Sequence, residues 1–195
     1  MIPWEIFMKN TKDSYYSLIV VSLIALFLTA GAFVCSSVHI GFDTASIVDG
    51  IIEIALAVTA FVYIINGFRK DYALNYTLYF AICALSYIVE YVFLAFDPRE
   101  SVTYTELVLQ FVCDLICFGC YVLLAFGKDM GKRVSVLLVS MVLVLYAAFV
   151  AYYIIESCIS GGAIDFEYIG LIFGGLLDLF LVLGKYHNKE TRNTK

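Results

Sequence analysis

Two stretches of this sequence, residues 18–38 and 134–155, contain no charged side chain. A helix needs about 20 mostly apolar residues to cross the hydrocarbon core of a bilayer, and both stretches reach that length. The rest of the chain is similar, because 63 % of all residues are hydrophobic and 15 % are charged, against about 25 % charged in soluble domains. A soluble fold of 195 residues could not bury so much apolar surface. We therefore expect a single integral membrane domain over residues 1–195, with the lipid bilayer as its main partner.

Further apolar runs with one or two acids each bring the number of predicted membrane-spanning helices to six. The expected fold class is thus all-α, a polytopic membrane helix bundle. The predicted spans are residues 18–38, 47–68, 72–96, 102–126, 134–155 and 166–183.

The basic residues predict the orientation of these spans. Eleven of the twelve Lys and Arg residues lie before the first span, between spans two and three, between spans four and five, or after the sixth. The exception is Arg99, in a connection on the opposite side. Because Lys and Arg concentrate in cytoplasmic loops, we expect both termini in the cytoplasm. The expected location is the plasma membrane of a bacterium.

Three features leave alternatives open. The first span also resembles a secretory signal whose cleavage would remove residues 1–32, although its apolar run is longer than a usual signal core. Gly170 and Gly174 form a close-packing pattern, which favours helix packing within the chain over a dimer contact. Cys35 and Cys158 both lie near outer helix ends, where a disulfide is an alternative to two free thiols.

Acidic and polar residues recur at helical spacing within several predicted spans, so they share faces of those helices. No Lys or Arg lies within any of the six predicted spans to pair with these acids. Charged groups at this depth are costly and usually face the bundle interior or water. The candidate ligand- or ion-binding residues are Glu53, Tyr87, Glu90, Gln110, Asp114 and Asp178.

Asp114 is predicted to be the deepest carboxyl, near the middle of the fourth span, and is the first candidate for binding. A carboxyl satisfied by structural hydrogen bonds is an equally open interpretation of it. Asp178 lies nearer the inner end of the sixth span, where it is expected to be either protonated or satisfied by neighbouring groups. The first and fifth spans carry no acid, which predicts that this pair faces lipid.

Other classes of function have little support. The net charge of −5 opposes nucleic-acid binding, which rewards a basic surface. Cys113, Cys117 and Cys120 accompany Asp114 on one predicted helix, but ligands spread along a straight helix are too far apart to bind one metal ion. No catalytic motif is present, so we predict no catalytic residue, no metal and no cofactor, and we do not favour an enzyme.

Two functions remain. Acids facing the interior and an acidic outer side would concentrate cations, which favours a transporter of small solutes or cations, or the substrate-binding subunit of one with an ATPase or other membrane partner chain. The length, six spans and inward termini are similar to those of substrate-binding subunits of vitamin importers, a likeness of architecture without a matching motif. The alternative is a membrane sensor or assembly module that acts through a partner chain.

Overall fold

The computed structural model describes residues 20, 23, 24, 27, 44–127, 130–160 and 167–193, except for 97–103. Within these residues the fold is helical, with no strand. The first predicted span, the alternative of its cleavage, and Cys35 of the alternative disulfide fall wholly or almost wholly outside the described residues. The helices are α1 (Thr44–Ile65), α2 (Ala73–Phe96), α3 (Tyr104–Phe126), α4 (Lys132–Ser160) and α5 (Glu167–Asn193).

Four of the described helical segments are long and apolar enough to cross a membrane. The segments are Lys70–Val92, Val108–Phe126, Lys132–Ile159 and Gly170–His187, which belong to α2, α3, α4 and α5. Helix α1 carries a shorter apolar stretch, Gly50–Ile65. Large apolar side chains on the outer faces of these helices, such as Leu137 and Val144 on α4, are exposed in the way that lipid contact requires. The length and composition of the helices indicate an integral membrane protein.

Two helices extend beyond the apolar runs that predicted them. Helix α4 continues five residues past the predicted end at residue 155, and α5 continues to Asn193 rather than ending at residue 183. Hydropathy marks where apolar side chains stop, whereas a helix continues for as long as its backbone hydrogen bonds do. The extension of α5 places Asp178 near the middle of the candidate span Gly170–His187 instead of near its end.

A tight left-handed turn joins α1 to α2. Gly67 and Phe68 have φ angles of 66° and 52°, and the Phe68 N–H donates to the carbonyl of Tyr63 at 3.1 Å. A left-handed conformation costs a residue other than glycine about 1–2 kcal/mol. Phe68 adopts it because the turn drives its ring into the core, where it packs edge-on against Tyr63 at a centroid distance of 5.3 Å. A short 3-10 helix, Lys70–Tyr72, then leads into α2.

The Phe68 ring also rests on α5 at Gly184. A Cβ atom added to Gly184 would lie 2.6–2.7 Å from three carbons of that ring, so the contact exists only because residue 184 has no side chain. One residue further on, the Lys185 ammonium lies 3.7 Å from the centroid of the Tyr76 ring at the start of α2. The α1–α2 turn is therefore fixed against the last turns of α5.

Helices α4 and α5 approach each other closely at Gly175. An added Cβ at Gly175 would lie 2.9 Å from a methyl carbon of Leu143 and 3.3 Å from the Tyr146 ring, whereas at Gly174 it would meet nothing within 4 Å. The close contact of α5 is thus made within the chain, but one residue later than the predicted pattern of Gly170 and Gly174.

The core between the helices is largely aromatic. Tyr76 and Phe80 are edge-on at 4.8 Å between centroids, and Phe80 of α2 stacks on Tyr121 of α3 at 6.0 Å. Tyr87, two turns further along α2, also contacts the Tyr121 ring at 6.0 Å. Offset and edge-on ring contacts of this kind stabilise a core beyond the area that they bury. Many of these rings carry hydroxyls, which must find partners inside the bundle.

We predict that Gly184→Ala destabilises the protein, because its methyl group would overlap the Phe68 ring in a closely packed core. Overpacking of this kind costs about 1–3 kcal/mol, so the thermal unfolding midpoint of the purified protein in detergent should fall. The matched control is Gly119→Ala on α3, where an added Cβ meets nothing within 4 Å and the midpoint should not fall. Equal midpoints for the two variants would contradict the Phe68–Gly184 contact.

Candidate functional site

Asp178 of α5 is a carboxyl group enclosed by the bundle, with 2 % of its surface exposed. The Tyr79 hydroxyl of α2 donates to Oδ1 at 2.8 Å, and the Tyr121 hydroxyl of α3 donates to Oδ2 at 2.6 Å. A buried carboxyl is costly unless hydrogen bonds satisfy its oxygens, and these two bonds satisfy one oxygen each. The two phenols therefore satisfy both carboxyl oxygens by hydrogen bonding, as a lysine or arginine would in a buried ion pair, but they add no positive charge.

Further hydroxyls extend this arrangement into a chain. The Tyr121 hydroxyl lies 3.1 Å from that of Tyr146 on α4, and the Tyr146 hydroxyl lies 2.6 Å from that of Tyr87 on α2. We call Asp178, Tyr79, Tyr121, Tyr146 and Tyr87 the tyrosine–aspartate network. It joins α2, α3, α4 and α5, which are the four helices that contain candidate membrane spans. Tyr79, Tyr146 and Asp178 lie close to the middle of their candidate spans, whereas Tyr87 and Tyr121 lie nearer to the ends of theirs.

The spacing of residues along α2 and α3 explains why these hydroxyls meet. Tyr79 and Tyr87 lie four residues on either side of Cys83, so the three share the buried face of α2. Cys117 lies one turn before Tyr121 on the buried face of α3, close to the Tyr87 side chain. A thiol is small enough to let the neighbouring rings approach one another, which leucine at either position would prevent.

Asp114 lies on the same helix as Tyr121 but outside the network. Its side chain is half-buried, and the Tyr91 hydroxyl donates to its Oδ2 at 2.9 Å. The Tyr91 ring is held edge-on by Phe111 at a centroid distance of 5.4 Å. None of the basic side chains described by the structure forms an ion pair with this carboxyl. Asp114 is therefore oriented by a phenol and has no basic partner among the described side chains.

A cavity of about 430 Å³ opens between α2 and α3 beside Asp114. Asp114 is the one charged group among the described residues that line it, and the other walls are aromatic or aliphatic. The Tyr87 ring forms part of the wall, so this residue belongs both to the cavity and to the tyrosine–aspartate network. The lining residues are Tyr87, Ile88, Tyr91, Val92, Phe111, Asp114, Leu115 and Phe118.

The remaining predicted residues lie around these two features. The Gln110 side-chain amide donates to Glu90 Oε1 at 3.3 Å, in an exposed pair one turn from Asp114 towards the end at which α2 finishes. Glu53 on α1 is half-buried and lies within electrostatic reach of Tyr79 and Cys83 rather than beside the cavity. The structure thus places Tyr87 and Asp114 in the cavity wall and Asp178 in the network. The Glu90–Gln110 pair lies one turn away, and Glu53 lies apart on α1.

Two expectations from the sequence need correction. Asp178 rather than Asp114 is the most buried carboxyl among the described residues, because α5 continues past the predicted end of its span. The fifth predicted span does not simply face lipid, since α4 contributes Tyr146 to the network and the buried Ser135 hydroxyl to Tyr186 at 2.9 Å. The face of α4 that carries Leu137 and Val144 is exposed, and beyond Val150 most of the described side chains of α4 are exposed as well.

Tyr121 shares the helical spacing of Gln110, Asp114 and Cys117, but the other three tyrosines outside the predicted set were not singled out from the sequence. Tyr79 continues the spacing of Cys83 and Tyr87 by one turn, and this pattern could have indicated it. Tyr146 is a hydroxyl-bearing residue in the middle of a charge-free run, which is a weaker signal. Tyr91 had no signal of its own, because tyrosine near the end of a membrane span is ordinary.

The sulfur atoms of α3 do not form a metal site within the part of the chain that the structure describes. Cys117 and Cys120 are buried and Cys113 is half-buried, and they join no cluster of three ligating side chains there. The described site therefore contains two carboxyl groups. Asp178 accepts hydrogen bonds from hydroxyl groups that can transfer protons, and Asp114 lies beside an apolar cavity.

Comparison of the chain with protein-family models, with curated proteins and with solved structures finds no match.

We predict that Tyr121→Phe lowers the free energy of unfolding by about 1–2 kcal/mol, because it removes the shorter hydrogen bond to Asp178 and keeps the ring. The measurement is thermal or denaturant unfolding of the protein in detergent. Tyr152→Phe, which removes a hydroxyl from an exposed residue of α4, is the matched control and should have a small effect. A loss of stability for Tyr152→Phe as large as for Tyr121→Phe would contradict the assignment of Tyr121 to a stabilising network.

Proposed function

We propose that the protein binds small organic cations that have an apolar body, as a membrane transporter or as the substrate-binding subunit of one. The observation that carries this proposal is the cavity between α2 and α3, in which Asp114 is the charged group among aromatic and aliphatic walls. Its volume of about 430 Å³ lies in the range of sites for small molecules, about 300–1,000 Å³.

The chemistry of the walls selects for positive charge. An uncompensated carboxylate at membrane depth is stabilised by a cation more than by a neutral solute, because the low dielectric strengthens the attraction. Aromatic faces such as those of Tyr91 and Phe111 also attract ammonium groups through their ring quadrupoles. The Tyr91 hydroxyl bonds Oδ2 of Asp114, so we expect the ammonium group of a ligand to pair with Oδ1.

The approach to the cavity supports the same ligand class. Glu90 and Gln110 lie one turn beyond Asp114, and the Glu90 side chain is exposed. A carboxylate in this position would raise the local concentration of cations one turn away from Asp114. Glu90 would thus act before Asp114 on the path of an entering solute.

The proposal includes six membrane spans with both termini in the cytoplasm. Helix α1 has 22 residues, which corresponds to about 33 Å of helix and is enough to cross the hydrocarbon core. Contacts between Phe68 and Gly184, and from the Tyr186 hydroxyl to the Met130 carbonyl at 2.6 Å, place three chain segments at one end of the bundle. That end carries the basic residues Arg69, Lys70, Lys132, Arg133 and Lys185, as a cytoplasmic face would.

Reporter fusions test this orientation. Alkaline phosphatase, which is active only after export, should be active when fused after Arg99 and inactive when fused after Lys128 or Lys195. The reason is that the basic connections stay in the cytoplasm while the connection at Arg99 is exported. Activity after Lys128 together with inactivity after Arg99 would reverse the proposed orientation.

Ligand binding is tested with phenyltrimethylammonium, a permanent organic cation, and with tert-butylbenzene, its neutral isostere. We expect the cation to raise the thermal midpoint of the purified protein and the neutral compound to raise it less. Asp114→Asn should remove the difference between the two ligands, because it deletes the charge and keeps the shape.

The matched control is Glu156→Gln, which removes an exposed carboxylate from α4 and should leave the response to the cation unchanged. Equal stabilisation of the Asp114→Asn variant and the parent by phenyltrimethylammonium would contradict the proposed site. Co-purification of a stoichiometric partner chain, with no stabilisation by either compound, would favour the alternative of a sensor or assembly module.

A further inference from the structure

We infer that Asp178 is a proton-binding site and that the hydroxyls of Tyr121, Tyr146 and Tyr87 relay protons between it and the solute cavity. The inference deepens the proposed function and rests on it for the identity of the cavity as a cation site. It assigns to the tyrosine–aspartate network the exchange of a proton for an organic cation.

The geometry of the relay is a series of three hydrogen bonds. The hydroxyl of Tyr121 lies 2.6 Å from Asp178 Oδ2, that of Tyr146 lies 3.1 Å from Tyr121, and that of Tyr87 lies 2.6 Å from Tyr146. Each distance is within the range of an O–H···O hydrogen bond or close to its upper limit. The Tyr87 ring then forms part of the cavity wall, so the series begins at the cavity and ends at a buried carboxyl.

The proton balance of the relay closes without any further reactant. When Asp178 takes up a proton, it receives the one held by Tyr121, which receives one from Tyr146, which receives one from Tyr87. Tyr87 accepts a proton from a hydronium ion that reaches the cavity and leaves as water, so the one charge that this proton brings neutralises the Asp178 carboxylate. Each phenol breaks one O–H bond and forms another, so all three end neutral and Asp178 alone gains a proton.

The same transfer reverses the direction of every hydrogen bond in the series. When Asp178 is ionised, the Tyr87 hydroxyl donates to Tyr146. When Asp178 is protonated, the Tyr146 hydroxyl donates to Tyr87 instead. The Tyr87 hydroxyl must then donate its own proton to another acceptor. The sulfur of Cys117, which lies close to Tyr87, is a weak acceptor of this kind. The protonation state of Asp178 therefore changes the direction of the hydrogen bond made by Tyr87, a residue that lines the cavity.

Among the titratable groups around Asp178, the carboxyl of Asp178 itself is the one whose charge changes when a proton binds. Glu53 on α1 approaches from the side of Tyr79 and Cys83, and Lys185 on α5 lies against the Tyr76 ring towards the end of the helix. The titratable groups that face Asp178 are Tyr76, Tyr79 and Cys83 on α2, Tyr121 on α3 and Tyr146 on α4. Because these are phenols and a thiol, they are the less acidic groups and Asp178 is the one that exchanges its proton.

Electrostatics predicts the sign of the coupling. A cation paired with Asp114 and a proton on Asp178 both add positive charge to the same low-dielectric interior, so each disfavours the other. Cation binding should therefore release a proton from Asp178, and protonation of Asp178 should release the cation. This is the reciprocal linkage that a proton-for-cation exchanger requires.

Infrared spectroscopy of the protein in lipid vesicles tests the proton site without any ligand. We expect a protonated-carboxyl C=O band that changes with pH, that is lost in Asp178→Asn and that persists in Asp114→Asn. Survival of the same band in Asp178→Asn, or the absence of any titrating carboxyl band in the parent protein, would overturn the proton site. Neither result depends on cation binding, so failure of the proposed function remains distinguishable.

The relay is tested by the rate at which this band responds to a pH jump. Tyr146→Phe keeps the ring and removes the connecting hydroxyl, so the band should keep its amplitude and respond roughly 100-fold more slowly, the lower range of what a positioned proton-transfer group contributes. Tyr152→Phe on the same helix is the control and should respond at the parent rate. An unchanged rate in Tyr146→Phe would overturn the relay.

The coupling is tested by adding phenyltrimethylammonium at a pH where the band has half its full height. We expect the band to decrease as Asp178 loses its proton, and we expect no decrease in Asp114→Asn. If the parent protein binds the cation, as shown by its thermal midpoint, and the band does not decrease, the exchange of proton and cation is overturned.

Discussion

The hydrogen bonds that Asp178 accepts from Tyr79 and Tyr121 determine how the other helices can pack. A carboxyl group in the middle of a membrane helix must find donors inside the protein, because lipid offers none. Two phenols from two other helices supply them, and Tyr146 and Tyr87 extend the arrangement to a fourth helix. A rotation of any one of these helices by one residue would turn its side chain about 100° away from its partners.

Small residues at specific positions allow the helices to approach closely enough for these hydrogen bonds to form. Cys83 and Cys117 leave room for the phenol rings between α2 and α3, and Gly175 lets α5 approach the Tyr146 ring on α4. Gly184 receives the Phe68 ring at one end of the bundle. Helix association in a membrane relies on such close packing, since apolar side chains gain little by leaving lipid for protein. The polar network selects the register of the helices, and the glycines and cysteines set the distance between them.

The sequence predicted the helical membrane character well, because an uncharged apolar run of about 20 residues rarely forms anything other than a membrane-spanning helix. Helical spacing also drew attention to Asp114, Asp178 and Tyr87, since polar residues on one face of a span usually turn inward. It did not predict which hydroxyl meets which carboxyl, because Tyr121 and Asp178 are 57 residues apart and their contact depends on how separate helices pack. Tyr146 was missed for a related reason: a span without acids resembles a lipid-facing one, although a single phenol can join it to the interior.

The position of Asp178 on α5, the last described helix, has a consequence for biogenesis. When helices enter the bilayer in chain order, Tyr79 and Tyr121 are already embedded before Asp178, the acceptor that they share, is synthesised. An aspartate at the centre of a helix opposes insertion by about 2.5–3.5 kcal/mol. Hydrogen bonds from the Tyr79 and Tyr121 hydroxyls, which are already in the membrane, offset this cost when α5 enters. Insertion of α5 thus supplies the acceptor for hydroxyls on two earlier helices, and a chain truncated before α5 would leave the Tyr79 and Tyr121 hydroxyls without this partner.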